Sequence, residues 1–272
     1  MKKSGLFSLI ILIIYLLFLY GPLYCLFTMA FKKRIDIVSP SFVWIFKPTL
    51  KNFKWIFSLQ QVSEGLRNSL IIAMGSVFLS LGLGSLAAYA LSRFDFSGRQ
   101  ALRNWTLTVR LLPPVAVILP MYIIWQKLHL YDTYFSLIIT YMAVTLPLVI
   151  WLLVGFISQI PKEIEEAARM DGCNHFQVFL HVTLPSAVPG IIVSAILAFI
   201  FVWNDLFFAF VLSSIRNTFP VVINAMATTG LEVRWGEMAA MGTISAMPAL
   251  LFAIFARNLL IRGFQGLYTG MK

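Results

Sequence analysis

Charged positions along this chain fall in short bands, and between the bands run long stretches with almost no charge. Six such runs are long enough to cross about 30 Å of hydrocarbon as helices. They span residues 5–31, 68–92, 104–126, 134–158, 186–213 and 238–256. None alternates apolar and polar residues over about ten positions, as a membrane-barrel strand would. The pattern therefore predicts an all-α, polytopic bundle of six transmembrane helices in a single transmembrane domain over 1–272. The third run carries Arg110 and a Pro113-Pro114 pair that predicts a kink. The first run is too long for a secretory signal and has no small-residue cleavage site before Lys32, so it reads as a retained span.

Composition agrees. Hydrophobic residues are 60% of the 272, charged residues 12%, and mean hydropathy is +0.86. A soluble domain carries about twice that charged fraction. The net charge of +10 then means topology and lipid contact at the span ends rather than nucleic-acid binding.

One polar segment, 159–185, interrupts the apolar pattern and holds EAARMDGCNHFQVFLHVTLP from Glu166 to Pro185. Pro161 suits a first helical position, where no N–H is needed. Glu163, Glu165 and Glu166 stand near the positive end of the helix dipole, and Arg169 stands near the negative end. Gly172 can take a left-handed conformation and stop the helix. Ile164, Ala167 and Ala168 make a small apolar strip at helical spacing. Pro185 predicts an extended Leu184 and re-entry into the bilayer. An amphipathic helix on the membrane surface is the plainer reading. Such a helix needs no Gly-plus-Leu-Pro ending and usually carries more Lys and Arg.

The spacing is Glu166-Ala167-Ala168, three residues, Gly172, nine residues, Val182, one residue, Leu184-Pro185. It resembles the cytoplasmic coupling loop of bacterial ABC importer permeases, with Val182 where the family usually has Ile. Other stretches extend the resemblance to the carbohydrate, maltose-type second-permease family. Pro48-Thr49-Leu50-Lys51-Asn52-Phe53 is similar to that family's segment before span two, and Asn68-Ser69-Leu70 opens the span as it does there. Leu91 to Arg99 resembles the first cytoplasmic loop. Phe201-Val202-Trp203-Asn204-Asp205 resembles the span-five signature. The tail from Arg262 to Lys272 is similar to the family's glycine-rich C-terminus, with Tyr268 intruding.

The resemblance implies an ATP-driven importer of a sugar or related solute (an oligosaccharide, polyol or glycerol-type molecule). This chain would form half of the path. A second homologous permease, two ATPase subunits and an extracytoplasmic solute-binding protein would be its partners. It implies ATPase coupling through Glu166, Ala167, Ala168, Asp171, Gly172, Leu184 and Pro185. It also implies ATPase contact in the 257–272 tail through Gln265, Gly266, Thr269 and Gly270. The chain itself would bind no cofactor, ATP and Mg residing in partner subunits. No Walker glycine loop, Gly-x-Ser-x-Gly elbow or zinc motif occurs in the sequence, so the chain reads as a non-enzyme.

Orientation comes from the resemblance, not from charge. With six spans, eleven basic residues (Lys2, Lys3, Arg93, Arg99, Arg103, Arg110, Lys162, Arg169, Arg257, Arg262, Lys272) share the termini's side. The other ten of the 21 fall opposite, seven of them from Lys32 to Arg67. That balance casts no positive-inside vote. A coupling loop facing ATP implies cytoplasmic termini in a bacterial or archaeal plasma membrane.

Within the spans, Ser80, Gly84 and Ala88, and likewise Gly242 and Ala246, present small residues that allow close backbone approach, within the chain or between permeases. Asn204 and Asp205 are candidates for the solute path or gate. The competing reading makes Asp205 a structural hydrogen-bond partner. Arg110 is near enough to a span end to snorkel. Most of the seven Trp fall at expected interfaces. Cys25 and Cys173 stand at different membrane levels, and His129, His175 and His181 are scattered, so neither a disulfide nor a metal site is expected. A stand-alone secondary transporter or channel is the alternative. It predicts mirrored halves with broken helices and no coupling segment.

Overall fold

The computed structural model describes the backbone of residues 2–41, 43–228 and 234–269, and the side chains of 8–41, 43–106, 108–228 and 234–254. The described residues form helices and no strand. In order these are α1 (Lys2–Phe31), α2 (Arg34–Ile37), α3 (Lys51–Ser58), α4 (Gln60–Arg93), α5 (Arg99–Thr108), a 3-10 turn (Val109–Leu111) and α6 (Pro114–Lys127). There follow α7 (Tyr134–Ile157), α8 (Lys162–Met170), α9 (His175–Val178), a π turn (Phe179–Thr183), α10 (Leu184–Ser186), α11 (Val188–Asn204), α12 (Phe207–Leu212), α13 (Phe219–Thr228) and α14 (Trp235–Thr269). Four described helices are long and apolar enough to cross a membrane, or six when two bent pairs each count as one span.

Both bent pairs have local causes. The third predicted span is α5 and its 3-10 turn followed by α6, with a 94° bend between them. Leu112 (ψ 131°) and Pro113 (ψ 133°) are extended, because each precedes a proline whose ring disfavours helical backbone. The fifth predicted span, 186–213, starts at the second bend and is interrupted further on. A 74° bend separates His175–Ser186 from Val188–Asn204, and α11 then stops at Asp205 (ψ 126°) before α12 begins. Apolarity alone could not show these breaks, since Pro, Asn and Asp interrupt backbone without interrupting a hydrophobic run.

The chain divides into two packing units. The first holds residues 1–63 and 221–248. In it the apolar side chains from Leu9 to Tyr20 are exposed, as a lipid-facing helix requires, while Ala30 is fully buried. A Cβ on Gly242 of α14 would lie 3.1 Å from Leu26 of α1. The second unit holds residues 64–220 and 249–272, and its core is α7, which buries Leu137, Tyr141, Val149, Leu153 and Ile157. α4 lies against α7 through its small residues. Ser80 Oγ is 2.7 Å from Thr145 Oγ1, and Ser76 donates to the Ile138 carbonyl at 3.2 Å. A Cβ on Gly84 would come within 2.7 Å of Val149 Cγ1. Ser80 and Gly84, and Gly242 in the first unit, thus serve packing within the chain.

At the start of α7 a polar knot joins three segments. Asp132, left-handed at φ 57°, accepts the backbone N–H groups of Ser214, Ile215 and Arg216 at 3.2, 3.0 and 3.1 Å. Asn68 of α4 donates to the Asn217 carbonyl (3.0 Å) and accepts from the Tyr134 hydroxyl (2.6 Å). Ser69 Oγ accepts from Phe219 N–H at 2.8 Å. Nothing local in the sequence marks Asp132. Its partners lie more than eighty residues away.

The tail residues Gln265, Gly266 and Thr269 lie on the α14 backbone. Their side chains, and Gly270 altogether, are outside the described residues.

The closest approach in the second unit sets a test. A Cβ on Gly190 of α11 would sit 2.4 Å from Cγ of the Phe156 ring of α7. Gly190→Ala should therefore destabilise by about 1–3 kcal/mol, read as a lower thermal midpoint in detergent. Adding Phe156→Leu should recover part of the loss.

Candidate functional site: the 159–185 segment

α8 is nine residues long and starts one residue later than the proline rule suggests. Pro161 is its N-cap, extended at ψ 133°, and Glu163 and Glu165 fall in the first turn. Its end is a Schellman closure. Cys173 N–H bonds the Ala168 carbonyl (3.1 Å), Gly172 N–H bonds that of Arg169 (3.0 Å), and Gly172 is left-handed at φ 92°. A reciprocal cap then starts α9. Asn174 accepts from Gln177 N–H (2.9 Å), and Gln177 Oε1 accepts from Asn174 N–H (2.8 Å).

Re-entry differs from the expectation. Leu184 is helical, φ −62° and ψ −47°, not extended. Pro185 falls in the first turn of α10, where its missing N–H costs nothing. The preceding π turn, a form associated with functional bends, carries the irregularity instead. The change of direction comes later, at Ala187 (ψ 1°).

The residue that fixes this segment is one the sequence did not single out. Glu165 is buried, and both its oxygens lie 2.9 Å from Arg93 Nε, at the last position of α4. Arg93 Nη2 donates to the Ile160 carbonyl at 2.9 Å, and Thr183 Oγ1 donates to Glu165 Oε1 at 2.8 Å. The pair's side chains are only 7% and 8% exposed. Aromatic rings pack at the same junction, beside a polar pocket of about 310 Å³ that also meets Asp95, Lys162, Glu166 and Arg169. Tyr89 contacts Phe179 (5.2 Å) and Phe94 (5.9 Å), and Phe94 contacts His175 (5.1 Å). One ion pair thus ties together the end of α4, the entry to α8 and the π turn beyond it. Glu165 had looked like a dipole-favourable residue and Arg93 like a loop cation, because 72 positions separate them.

The predicted site residues divide accordingly. Glu166, Ala167, Asp171 and Gly172 are exposed, Ala168 and Leu184 are half-buried, and Pro185 is exposed. Around them Ile164, Met170 and Phe176 are 50%, 88% and 60% exposed, an uncovered apolar strip in a polar segment.

Asn204 and Asp205 are not brought together with this segment. Asp205 Oδ2 accepts from the Tyr141 hydroxyl (2.8 Å) and from Phe208 N–H (2.9 Å), so it joins α7 to the first turn of α12. Asn204 turns back to the Ile200 carbonyl (2.9 Å). A separate cavity of about 320 Å³ is lined by Arg110, Leu112, Val117, Thr145, Phe201 and Phe208, and by neither Asn204 nor Asp205. Trp125 is buried and donates to Thr140 at 2.9 Å. Trp203 is buried and stacks on Phe199 at 5.7 Å.

Residues 80–268 match the family described as the inner membrane component of binding-protein-dependent transport systems. The chain belongs to this family. It is thus a permease subunit of an ABC importer, a non-enzymatic, multi-pass membrane component, and not the stand-alone transporter or channel. The permease is 32% identical over 249 residues to the trehalose transport system permease protein SugB of Mycobacterium tuberculosis, covering 89% of each chain. It is 31% identical over 222 residues to the trehalose/maltose transport system permease protein MalG of Thermococcus litoralis, covering 80% of each. Its fold matches a chain of a bacterial ABC transporter that imports the acidic polysaccharide alginate. The TM-score is 0.82 at 21% identity, over 95% of this permease and 98% of that chain.

Two outcomes test the geometry. Arg93→Met or Glu165→Met alone leaves a buried charge unpaired and should cost about 3–5 kcal/mol, while the double variant should regain most of it. Detergent unfolding of the four members of this double-mutant cycle measures the coupling. Asp205→Asn can still accept both of its hydrogen bonds, so uptake should keep its solute preference. Asp205→Leu leaves Tyr141 and Phe208 N–H unpaired and should cost about 1–3 kcal/mol.

Proposed function

We propose that this permease forms half of the path of an ATP-driven importer for a sugar or related solute, and that α8 is the lever by which separate ATPase subunits move it. The observation that carries the reading is the division of α8 into two sides. Glu165 is buried in an ion pair with Arg93, while Ala167 and Met170, roughly opposite it at about 100° per residue, stand exposed. A helix clamped to its own bundle on one side and bare on the other, where exposed Glu163 stands beside Ala167 and Met170, is built to seat in another protein's groove. The small Ala face suits close approach.

In this reading the partners are a second homologous permease, two ATPase subunits that bind ATP and Mg, and an extracytoplasmic solute-binding protein. The 159–185 segment and both termini face the cytoplasm. ATP binding closes the ATPase pair, pulls α8 and opens the path outward, and hydrolysis resets it. Glu166, Ala167, Ala168, Asp171 and Gly172 meet the ATPase, with Leu184 and Pro185 carrying the motion into α11. Gln265, Gly266, Thr269 and Gly270 add a contact from the tail. The names of the trehalose and maltose relatives support a carbohydrate solute.

The test is solute-stimulated ATPase activity and subunit pull-down in reconstituted complexes. Gly172→Val should abolish stimulation. Its Cβ would meet open space, so the cost is conformational, about 1–3 kcal/mol for a β-branched residue at positive φ. Ala167→Trp should fail through bulk at the groove. Glu166→Gln should be milder, since its dipole contribution is under about 1 kcal/mol. Normal stimulation and assembly in both severe variants would remove α8 from the coupling role.

A further inference from the structure

The chain leaving α1 does not run away from the membrane boundary. It folds back and is tied to the last turn of that span. Thr49 N–H bonds the Phe31 carbonyl at 2.8 Å. The buried Asn52 side chain donates to the carbonyls of Ala30 (2.8 Å) and Lys32 (3.0 Å), which are acceptors a helix end leaves open. The Phe31 and Phe53 rings lie 5.0 Å apart. Ile56 is fully buried. α3 is therefore held at the level where α1 emerges from the hydrocarbon, whichever side of the membrane that is.

What α3 and its approach then expose is unusual for a surface in water. Lys33, Lys47, Lys51 and Lys54 are all exposed, and none of their ammonium groups forms an ion pair among the described residues. From Lys32 to Ser58 the only acid is Asp36. Among these cations stand large apolar side chains: Trp44 is 69% exposed, Ile45 93%, Leu50 57% and Phe57 54%. On α3, Lys51, Lys54 and Phe57 recur at helical spacing away from buried Asn52 and Ile56.

We propose that the segment from Lys33 to Phe57 is a binding site for anionic phospholipid. The ammonium groups of Lys33, Lys47, Lys51 and Lys54 engage the headgroup phosphates, and Trp44, Ile45, Leu50 and Phe57 enter the adjoining acyl boundary. Cations beside apolar and aromatic side chains at headgroup depth are the pattern of an interfacial anchor. A soluble protein docked here would have to cover Ile45 and Phe57, which a membrane surface absorbs without further contacts. The site also accounts for the basic cluster that the charge balance left unassigned. The inference rests on α1 spanning the membrane and not on the route of coupling.

The experiment uses the assembled transporter in nanodiscs. Native mass spectrometry would measure retention of phosphatidylglycerol against phosphatidylcholine for the parent, for a Lys33→Gln/Lys47→Gln/Lys51→Gln/Lys54→Gln variant and for the matching Lys→Arg variant. Phosphatidylglycerol should be retained selectively by the parent and the Arg variant. The Gln variant should lose that preference at least tenfold, since each lysine adds to the attraction of an anionic surface. Independently, brominated phosphatidylglycerol should quench the Trp44 contribution, taken as parent minus Trp44→Phe, more than brominated phosphatidylcholine does. This arm holds even where the Gln variant fails to assemble. Equal retention by parent and Gln variant, or no quenching of Trp44 by either lipid, overturns the proposal. So does a Gln variant that keeps its lipid and loses affinity for the solute-binding protein, which would make this a protein-docking face.

Discussion

The buried ion pair between Arg93 and Glu165 is the constraint on which the 159–185 segment depends. Taking two charges out of water is costly, and their attraction offsets that cost only when geometry is good and the remaining hydrogen-bonding capacity is filled. Both conditions hold. Arg93 spans the two carboxylate oxygens at 2.9 Å and uses another nitrogen on Ile160, and Thr183 fills a further acceptor site. The burial of both side chains strengthens the pair and raises the penalty for losing one member. Such a contact is close to all-or-none. It resists small displacements of α8 relative to α4.

The opposite end of α7 is fixed by a different chemistry to similar effect. α7 has 24 residues, so its ends are about 36 Å apart. At one end the Glu165 clamp holds α8 and the π turn. At the other, Asp132 gathers three backbone N–H groups of the 214–216 segment, with Asn68 and Ser69 of α4 completing the knot. Between them Ser80 and Gly84 let α4 lie close along α7. Polar groups thus concentrate at the ends, where many backbone donors and acceptors lack helical partners. The middle relies on small residues and dispersion. The second unit is thus pinned by polar contacts at both ends of its central helix.

This division explains what could be read from the sequence. Helical class, the apolar runs and the termination of α8 at Gly172 are local matters, written in hydrophobic length and in one residue's freedom at positive φ. The exposed strip of Ile164 and Ala167 was legible for the same reason. Glu165, Asp132 and Asn68 were not, since their partners are brought near only by the fold. The conformation of Leu184 went the other way. A sound local rule predicted extension, and the π turn with Pro185 in a helix's first turn overrode it.

Asp205 shows why a charge within a span is by itself weak evidence for a solute path. It stands where two helices meet at a break, and such a break leaves the first N–H groups of the next helix without partners. A short acidic side chain there accepts Phe208 N–H from α12 and, across the bundle, the Tyr141 hydroxyl. Those two bonds account for the carboxylate without any ligand, and they need only an acceptor, not a charge. The 320 Å³ cavity nearby meets different residues, Arg110 and Thr145 among them. The Asp205 carboxylate holds the first turn of α12, whose Phe208 lines that cavity.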